Sequence, residues 1–326
     1  MHVLVTGAAG MIGRKLVERV SRDGHIGGRE VTSFTLHDIV TPSPPKSGIK
    51  VAAPASDFAA PGEADKLVAG RPEVIFHLAA IVSGEAEADF DKGYHVNLDG
   101  TYALFKAIRA IGDGYRPRVV FSSSIAVFGA PFPVPIPDEY LSAPLTSYGT
   151  QKAICELMLA DYSRRGVFDG IGLRLPTICV RPGTPNKAAS GFFSNIIREP
   201  LAGKETVLPV PESVRHWAAS PRAAIGFLLH AATMDLAKVG PRRSMTMPGV
   251  DITVGGEIDA LRRIAGEKAV KLIRHEIDPT IAAIVAGWPQ TFRTDRAESL
   301  GFKADADFDA IVRAHIDDEL GGKIAV

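Results

Sequence analysis

Apolar residues along the first 180 or so positions alternate between two rhythms: short runs rich in branched side chains, and stretches spaced three or four apart. The first rhythm predicts strands, the second amphipathic helices. His2 to Thr6 is a run of the first kind and ends in a glycine turn, after which Ile12, Leu16, Val17 and Val20 share one helical face within Met11 to Arg22. Val31 to Leu36 and Ile49 to Ala53 read as second and third strands, and Thr41 to Gly48 between them is too rich in turn formers to be helical. Val74 to Leu78 is apolar nearly throughout, as in a strand covered on both faces. A helical pattern then runs from about Glu85 to Ala110. Arg118 to Ser122 follows as a fifth strand, Tyr148 to Arg165 as a second long helix, and Ile171 to Leu175 as a sixth strand.

Strands alternating with helices specify an α/β fold, a doubly wound and mostly parallel sheet of the Rossmann type. Beyond Val180 the rhythm loosens. Helices are expected at Gly191 to Leu201, Pro221 to Met234, Gly255 to Ile264 and Asp307 to Asp318, between loops containing proline and glycine. We therefore expect a dinucleotide-binding domain over residues 1–180 that also carries the catalytic groups, and a smaller, less regular substrate domain over 181–326. The stretch from about 205 to 240 is expected to return and pack on the first domain.

Charge changes the picture by exclusion. Lys plus Arg and Asp plus Glu total 37 each, so nothing in the balance attracts nucleic acid or an anionic membrane, and a small molecule is the expected partner. No apolar stretch is long enough to span a bilayer, no charged leader precedes an apolar run, and the only cysteines are Cys155 and Cys179. A reduced, cytoplasmic protein with its cysteines as small apolar filler is the expectation. Neither paired cysteines nor a His-x-x-x-His helix suggests a metal site.

Gly7, Gly10 and Gly13 stand at G-x-x-G-x-x-G spacing, directly after a strand and opening a helix. A dinucleotide needs that arrangement: a sharp turn, backbone close to the pyrophosphate, and free N–H groups at the helix start, here around Met11 and Ile12. Asp38 lies 25 positions past Gly13, at the end of the next strand. Its carboxylate can accept the adenosine ribose hydroxyls and would repel a 2′-phosphate, so NAD is expected over NADP. Asp57 could reach the adenine amino group or cap a turn.

Tyr148 and Lys152 are four apart and share one face of a helix. A tyrosine with an ordinary pKa near 10 is a poor base at neutral pH, and a cation within about 4–6 Å favours its phenolate. Lys152 supplies the cation and can hold the nicotinamide ribose, while Ser124 can hydrogen-bond the substrate oxygen whose proton Tyr148 removes. His77 ends a buried strand and is read as a satisfied core histidine, not a base.

The motifs TGAAGMIG, HLAA (His77 to Ala80), VNLDGT around Asn97, SSSIAVFG (Ser122 to Gly129), YGTQK and LRLPTICVRPG (Leu173 to Gly183) together resemble the extended short-chain dehydrogenase/reductase family, the nucleotide-sugar epimerase and dehydratase group, from residue 2 to about 235. The resemblance implies NAD as cofactor, Leu78 and Ala79 along its adenosine side, Asn97 steadying the helix beside the active site, and Pro176 to Ile178 near the nicotinamide amide. It also implies a homodimer through the two long helices.

Within that family the chain departs from the nucleotide-sugar pattern. Many such members carry R-D-F-x-x-V-x-D where this chain reads Arg215-His216-Trp217-Ala218-Ala219-Ser220-Pro221-Arg222, and the acidic positions are gone. The strings HLAAIVSGEAEADFDKGYHVNLDGT and LRLPTICVRPGTPNKAASGFFSNIIREPLAG are similar to a member that oxidises a four-carbon sugar acid to its 2-keto acid. Such a substrate needs a cation for its carboxylate and hydroxyl or amide groups for its alcohols. Arg215 is the candidate for the first and Ser83 and Asn186 for the second, although a solvated arginine and ordinary turn residues would look the same. An NAD-dependent sugar-acid dehydrogenase is thus the leading expectation. A nucleotide-sugar 4-epimerase with tightly bound NAD is the rival, and a dinucleotide-sensing regulator a third reading that leaves the Tyr148–Lys152 pair without a purpose.

Overall fold

A computed structural model describes residues 1–183 and 190–326. Contacts within the chain divide it into two compact units: residues 1–127, 144–174 and 225–245 form the first, and residues 128–143, 175–224 and 246–326 the second. Among the described residues no helix is long and apolar enough to cross a membrane.

The first unit is built on a seven-stranded sheet. In chain order its strands are β1 (His2–Thr6), β2 (Ser33–His37), β3 (Lys50–Ala52), β4 (Val74–His77), β5 (Arg118–Ser124), β6 (Asp169–Leu175) and β7 (Ser244–Thr246), arranged in space as β7-β6-β5-β4-β1-β2-β3. β1 is parallel to both β2 and β4, β2 to β3, and β4 to β5. The fold class expected from the alternating rhythm is thus present. The order reverses at β1, and a crevice for a ligand opens at the carboxyl ends of strands on either side of such a switch point. The register puts Thr6 opposite both His37 and His77, and His77 opposite Phe121, so these four side chains form a row along that edge.

Helix α1 (Met11–Asp23) buries Gly13, Leu16, Val17 and Val20, the predicted face. It ends on Gly24, whose left-handed backbone (φ 74°) returns an N–H to the Val20 carbonyl. The expected single helix from Glu85 to Ala110 is broken. Ser83–Ala88 is helical, Asp89 then leaves the helical region and its side chain caps Phe90–Gly93, a π-helical turn follows over Tyr94–Asp99, and only then does α2 (Gly100–Ile111) begin. Helix α3 (Ser147–Arg164) carries the tyrosine and lysine. Leu4, Ile75, Val119, Phe121, Leu104, Phe105, Cys155 and Leu159 belong to one core, between the sheet and these helices. Cys155 and Cys179 are both buried and free, and burial pushes their thiols up to about 11 and about 12, as apolar filler requires.

The second unit has a three-stranded sheet of Thr177–Ile178, Arg215–Ala219 and Val250–Thr253. Its core is formed with Gly191–Leu201, Val254–Val270 and Phe308–Leu320, through Phe193, Ile196, Ile197, Val254, Ile258, Leu261, Ile311 and Val312.

Candidate active site

The glycine turn closes on itself at van der Waals limits. A side chain on Gly7 would put its Cβ 2.7 Å from the Ala79 nitrogen and 2.8 Å from the Leu78 carbonyl carbon, and one on Gly13 would sit 2.2 Å from the Gly7 oxygen. Gly7 also holds φ at 73°, where only glycine is unstrained. Leu78 and Ala79 therefore face the turn backbone to backbone. The α1 N-terminus has Gly10 as its cap, no side chain fills the capping position, and the first turn bears no acidic residue. Donors and a positive dipole end are left to a ligand, so the turn fits an anionic group such as the pyrophosphate of NAD.

Asp38 lies beside the turn. Its Oδ2 accepts from the Ala9 N–H at 2.9 Å and its Oδ1 from the Ile39 N–H at 2.7 Å, which fixes the carboxylate at the rim of the cradle. Asp57 shows the turn-capping geometry, accepting from the Ala59 N–H at 3.0 Å, and its other oxygen meets His95 Nε2 at 2.7 Å.

Ser124 ends β5, and its Oγ accepts from the Ala126 N–H at 3.1 Å. Tyr148 enters on the first turn of α3, which Thr146 caps by accepting from the Gly149 N–H at 3.1 Å. Gly149 lets this turn lie against the segment after Ser124, because a Cβ there would stand 2.1 Å from the Ala126 oxygen. Sequence reasoning passed over this glycine, although its cost in a helix, about 1 kcal/mol against alanine, was a signal to look for a packing reason. Gly149→Ala is expected to cost about 1–3 kcal/mol of stability through overpacking. Any turnover should fall with it, as Ser124 and Tyr148 are forced apart. A chemical melt beside a rate assay checks both.

Lys152 is 2% exposed. Its Nζ donates to the Ser122 carbonyl at 2.7 Å and lies 4.7 Å from the centre of the Phe121 ring and 5.7 Å from that of Tyr148. Burial pushes its ammonium down to about 8, against the opposing pull of Cys155 and Glu156. One turn on, Glu156 is buried, accepts from Ser123 Oγ at 2.5 Å and takes a two-pronged bond from Arg174 at 3.0 and 2.7 Å. Arg174 thus balances the charge of a carboxylate one turn from the lysine, a contact between residues 18 apart that no local pattern announces.

Asn97 projects from the π-helical turn and is buried. Its Oδ1 accepts from the Ile81 N–H at 2.9 Å and its Nδ2 donates to Gln151 Oε1 at 2.7 Å, tying the segment after β4 to the residue before Lys152. Ile178 is buried in the second unit, in the strand beside Arg215–Ala219. Ser83 is half-buried at the start of its helix. Arg215 is 42% exposed along its side chain and bonds Asp251 through Nη1 at 2.6 Å. Asn186 lies outside the described residues.

A glycine turn that fits a dinucleotide at the sheet's switch point, with Ser124 ending β5 and Tyr148 and Lys152 on α3, is the pattern of an NAD-dependent oxidoreductase. Residues 3–232 match the model of the NAD dependent epimerase/dehydratase family, and the chain belongs to that family. It is an NAD-dependent dehydrogenase of that group. It is 42% identical over 98% of both chains to D-erythronate dehydrogenase of Cupriavidus necator, and 38% identical to D-erythronate dehydrogenase of Haemophilus influenzae over 97% of this chain and 99% of that one. It also resembles the crystal structure of the nucleoside-diphosphate-sugar epimerase from Agrobacterium tumefaciens, with 64% identity and a TM-score of 0.97 over 99% of this chain and 95% of that one.

Proposed function

We propose that the protein oxidises D-erythronate to 2-keto-D-erythronate, with Tyr148 as general base. The observation that carries this reading is the buried Lys152 ammonium on the same helical face as the half-buried Tyr148, in a chain alike over nearly its whole length to two D-erythronate dehydrogenases. NAD, when bound, supplies the acceptor for the hydride that leaves the alcohol carbon. The protein's part is to move the proton. Ser124 Oγ hydrogen-bonds the substrate hydroxyl, the Tyr148 phenolate takes its proton, and Lys152 stabilises the phenolate and holds the nicotinamide ribose. Gly7, Gly10, Met11, Ile12 and Gly13 hold the pyrophosphate, Asp38 the adenosine ribose, Leu78 and Ala79 the adenosine side, with Asp57 near the adenine, Asn97 behind the helix and Ile178 toward the nicotinamide.

The substrate assignments rest on sequence: Arg215 for the carboxylate, Ser83 and Asn186 for the hydroxyls. Tyr102 and Leu157, 46% and 73% exposed on α2 and α3, favour a homodimer through those helices. Two free, buried cysteines suit the reducing cytoplasm.

A nucleotide-sugar 4-epimerase is the second reading, favoured by the description of the Agrobacterium structure. Against it, the acidic position of the nucleotide-sugar pattern is His216 here, buried and bonded to Glu257. An epimerase returns the hydride and yields no net NADH. Reduced-nicotinamide absorbance, followed with NAD and a panel of four- to six-carbon aldonic acids beside UDP-sugars, is expected to rise with the four-carbon acid. Isomerised UDP-sugar without NADH would replace this reading by the second. Because Asp38 repels a 2′-phosphate, kcat/KM with NADP should be lower by about a hundredfold, or ~2.7 kcal/mol.

A further inference from the structure

His77 is wholly buried, and both its ring nitrogens are engaged. Thr101 Oγ1 donates to the Asn97 carbonyl at 2.7 Å, so toward His77 it can only accept, and Nε2 must carry the ring proton across the 2.9 Å contact. Nδ1 is then an acceptor for the Thr6 hydroxyl at 2.7 Å, and Thr6 Oγ1 in turn accepts from the Ala79 N–H at 3.3 Å. One chain of bonds results. On one side it reaches Thr6, next to Gly7, and Ala79, against which Gly7 packs; on the other it reaches Thr101 and Asn97, whose amide holds Gln151 beside Lys152. Thr6, His77, Thr101, Asn97 and Gln151 are each 2% exposed or less, so water cannot substitute for a missing member.

We infer that His77 is a positioning residue that anchors the cofactor turn through one ring nitrogen and the helix bearing Lys152 through the other, each arm serving its own side. The two anchors need one nitrogen to donate and the other to accept, which only the neutral ring does. Burial foremost, with the Lys152 and His37 charges behind it, holds His77 down at about 3, so the ring stays neutral wherever the protein is folded. Phe58 meets the imidazole edge-on at 5.6 Å and Phe121 stacks on it at 5.7 Å, leaving it one orientation.

The inference rests on the proposed function only for its rate readout; NAD titration by calorimetry and amide hydrogen exchange need no substrate. A chain that turned over no sugar acid would therefore remove the function and leave this test standing. Thr101→Val cuts the arm toward Asn97 at nearly constant volume. It is expected to speed exchange over residues 94–101 and 147–155 and to lower kcat by about tenfold, with NAD affinity moved less than about threefold. Thr6→Val cuts the other arm, and the pattern inverts: faster exchange over residues 3–13 and NAD weakened by about tenfold, with a smaller fall in kcat. His77→Asn keeps an acceptor near Nδ1 and should behave as Thr101→Val, whereas His77→Gln keeps a donor near Nε2 and should behave as Thr6→Val. These two keep the question open to refutation if a valine variant fails to fold. Equal changes in both segments and both constants, or no change in either, would make His77 an ordinary core residue and overturn the inference.

Discussion

Tyr148→Phe is expected to lower kcat by about 10²–10⁴ while leaving NAD affinity within about twofold, because it removes one hydroxyl whose proton transfer is worth that factor. The ring that faces the Lys152 ammonium remains, and so does the Thr146 cap that sets the start of α3. Lys152 keeps its bond to the Ser122 carbonyl. Stability should shift by less than about 1 kcal/mol, since the residue is half-buried and no cavity opens. Rates by reduced-nicotinamide absorbance and NAD titration by calorimetry separate the two effects. Retention of most of the turnover would take the general base away from Tyr148, and an equal loss of cofactor affinity would make the residue a binding group.

What could be read from the chain alone divides by distance along it. The glycine turn and Tyr148–Lys152 are local: one needs a strand before and a helix after, the other four residues of helix. The α/β sheet was equally readable, because strands buried on both faces leave continuous apolar runs that no surface element shares. The long-range contacts around these residues were not. His77 meets Thr6 across 71 positions and Thr101 across 24, Arg174 reaches Glu156 across 18, and Arg215 meets Asp251 across 36. Each joins polar side chains far apart in the chain, and it is visible only once the strands have paired and the helices have packed on them. The break at Asp89 was hidden for another reason. The apolar spacing runs on through it, and only the carboxylate's bond to the Lys92 N–H restarts the helix there.

Lys152→Met should abolish turnover and yet raise the melting temperature at pH 7. Burial brings the Lys152 pKa from 10.5 to about 8, so keeping the ammonium in the folded chain costs about 3 kcal/mol relative to the unfolded one. Methionine has nearly the same volume and no charge, and the orphaned Ser122 carbonyl returns about 1–2 kcal/mol of that gain. The net is about 1–2 kcal/mol, or ~1.5–3 °C at this chain length. The sign depends on pH. Below about 8 the lysine is protonated in both states and its burial penalty is fully present. Between about 8 and 10.5 the unfolded chain still binds that proton and the folded one does not, so wild-type stability gains on the variant as pH rises. Paired melts should show the advantage of Lys152→Met at pH 7 shrinking and then inverting by about pH 10, once only the lost Ser122 bond is left. A variant less stable than wild type at pH 7 would show that the ammonium is comfortably solvated in the fold. It would then lack the low-dielectric setting in which a cation acts strongly on a phenol beside it.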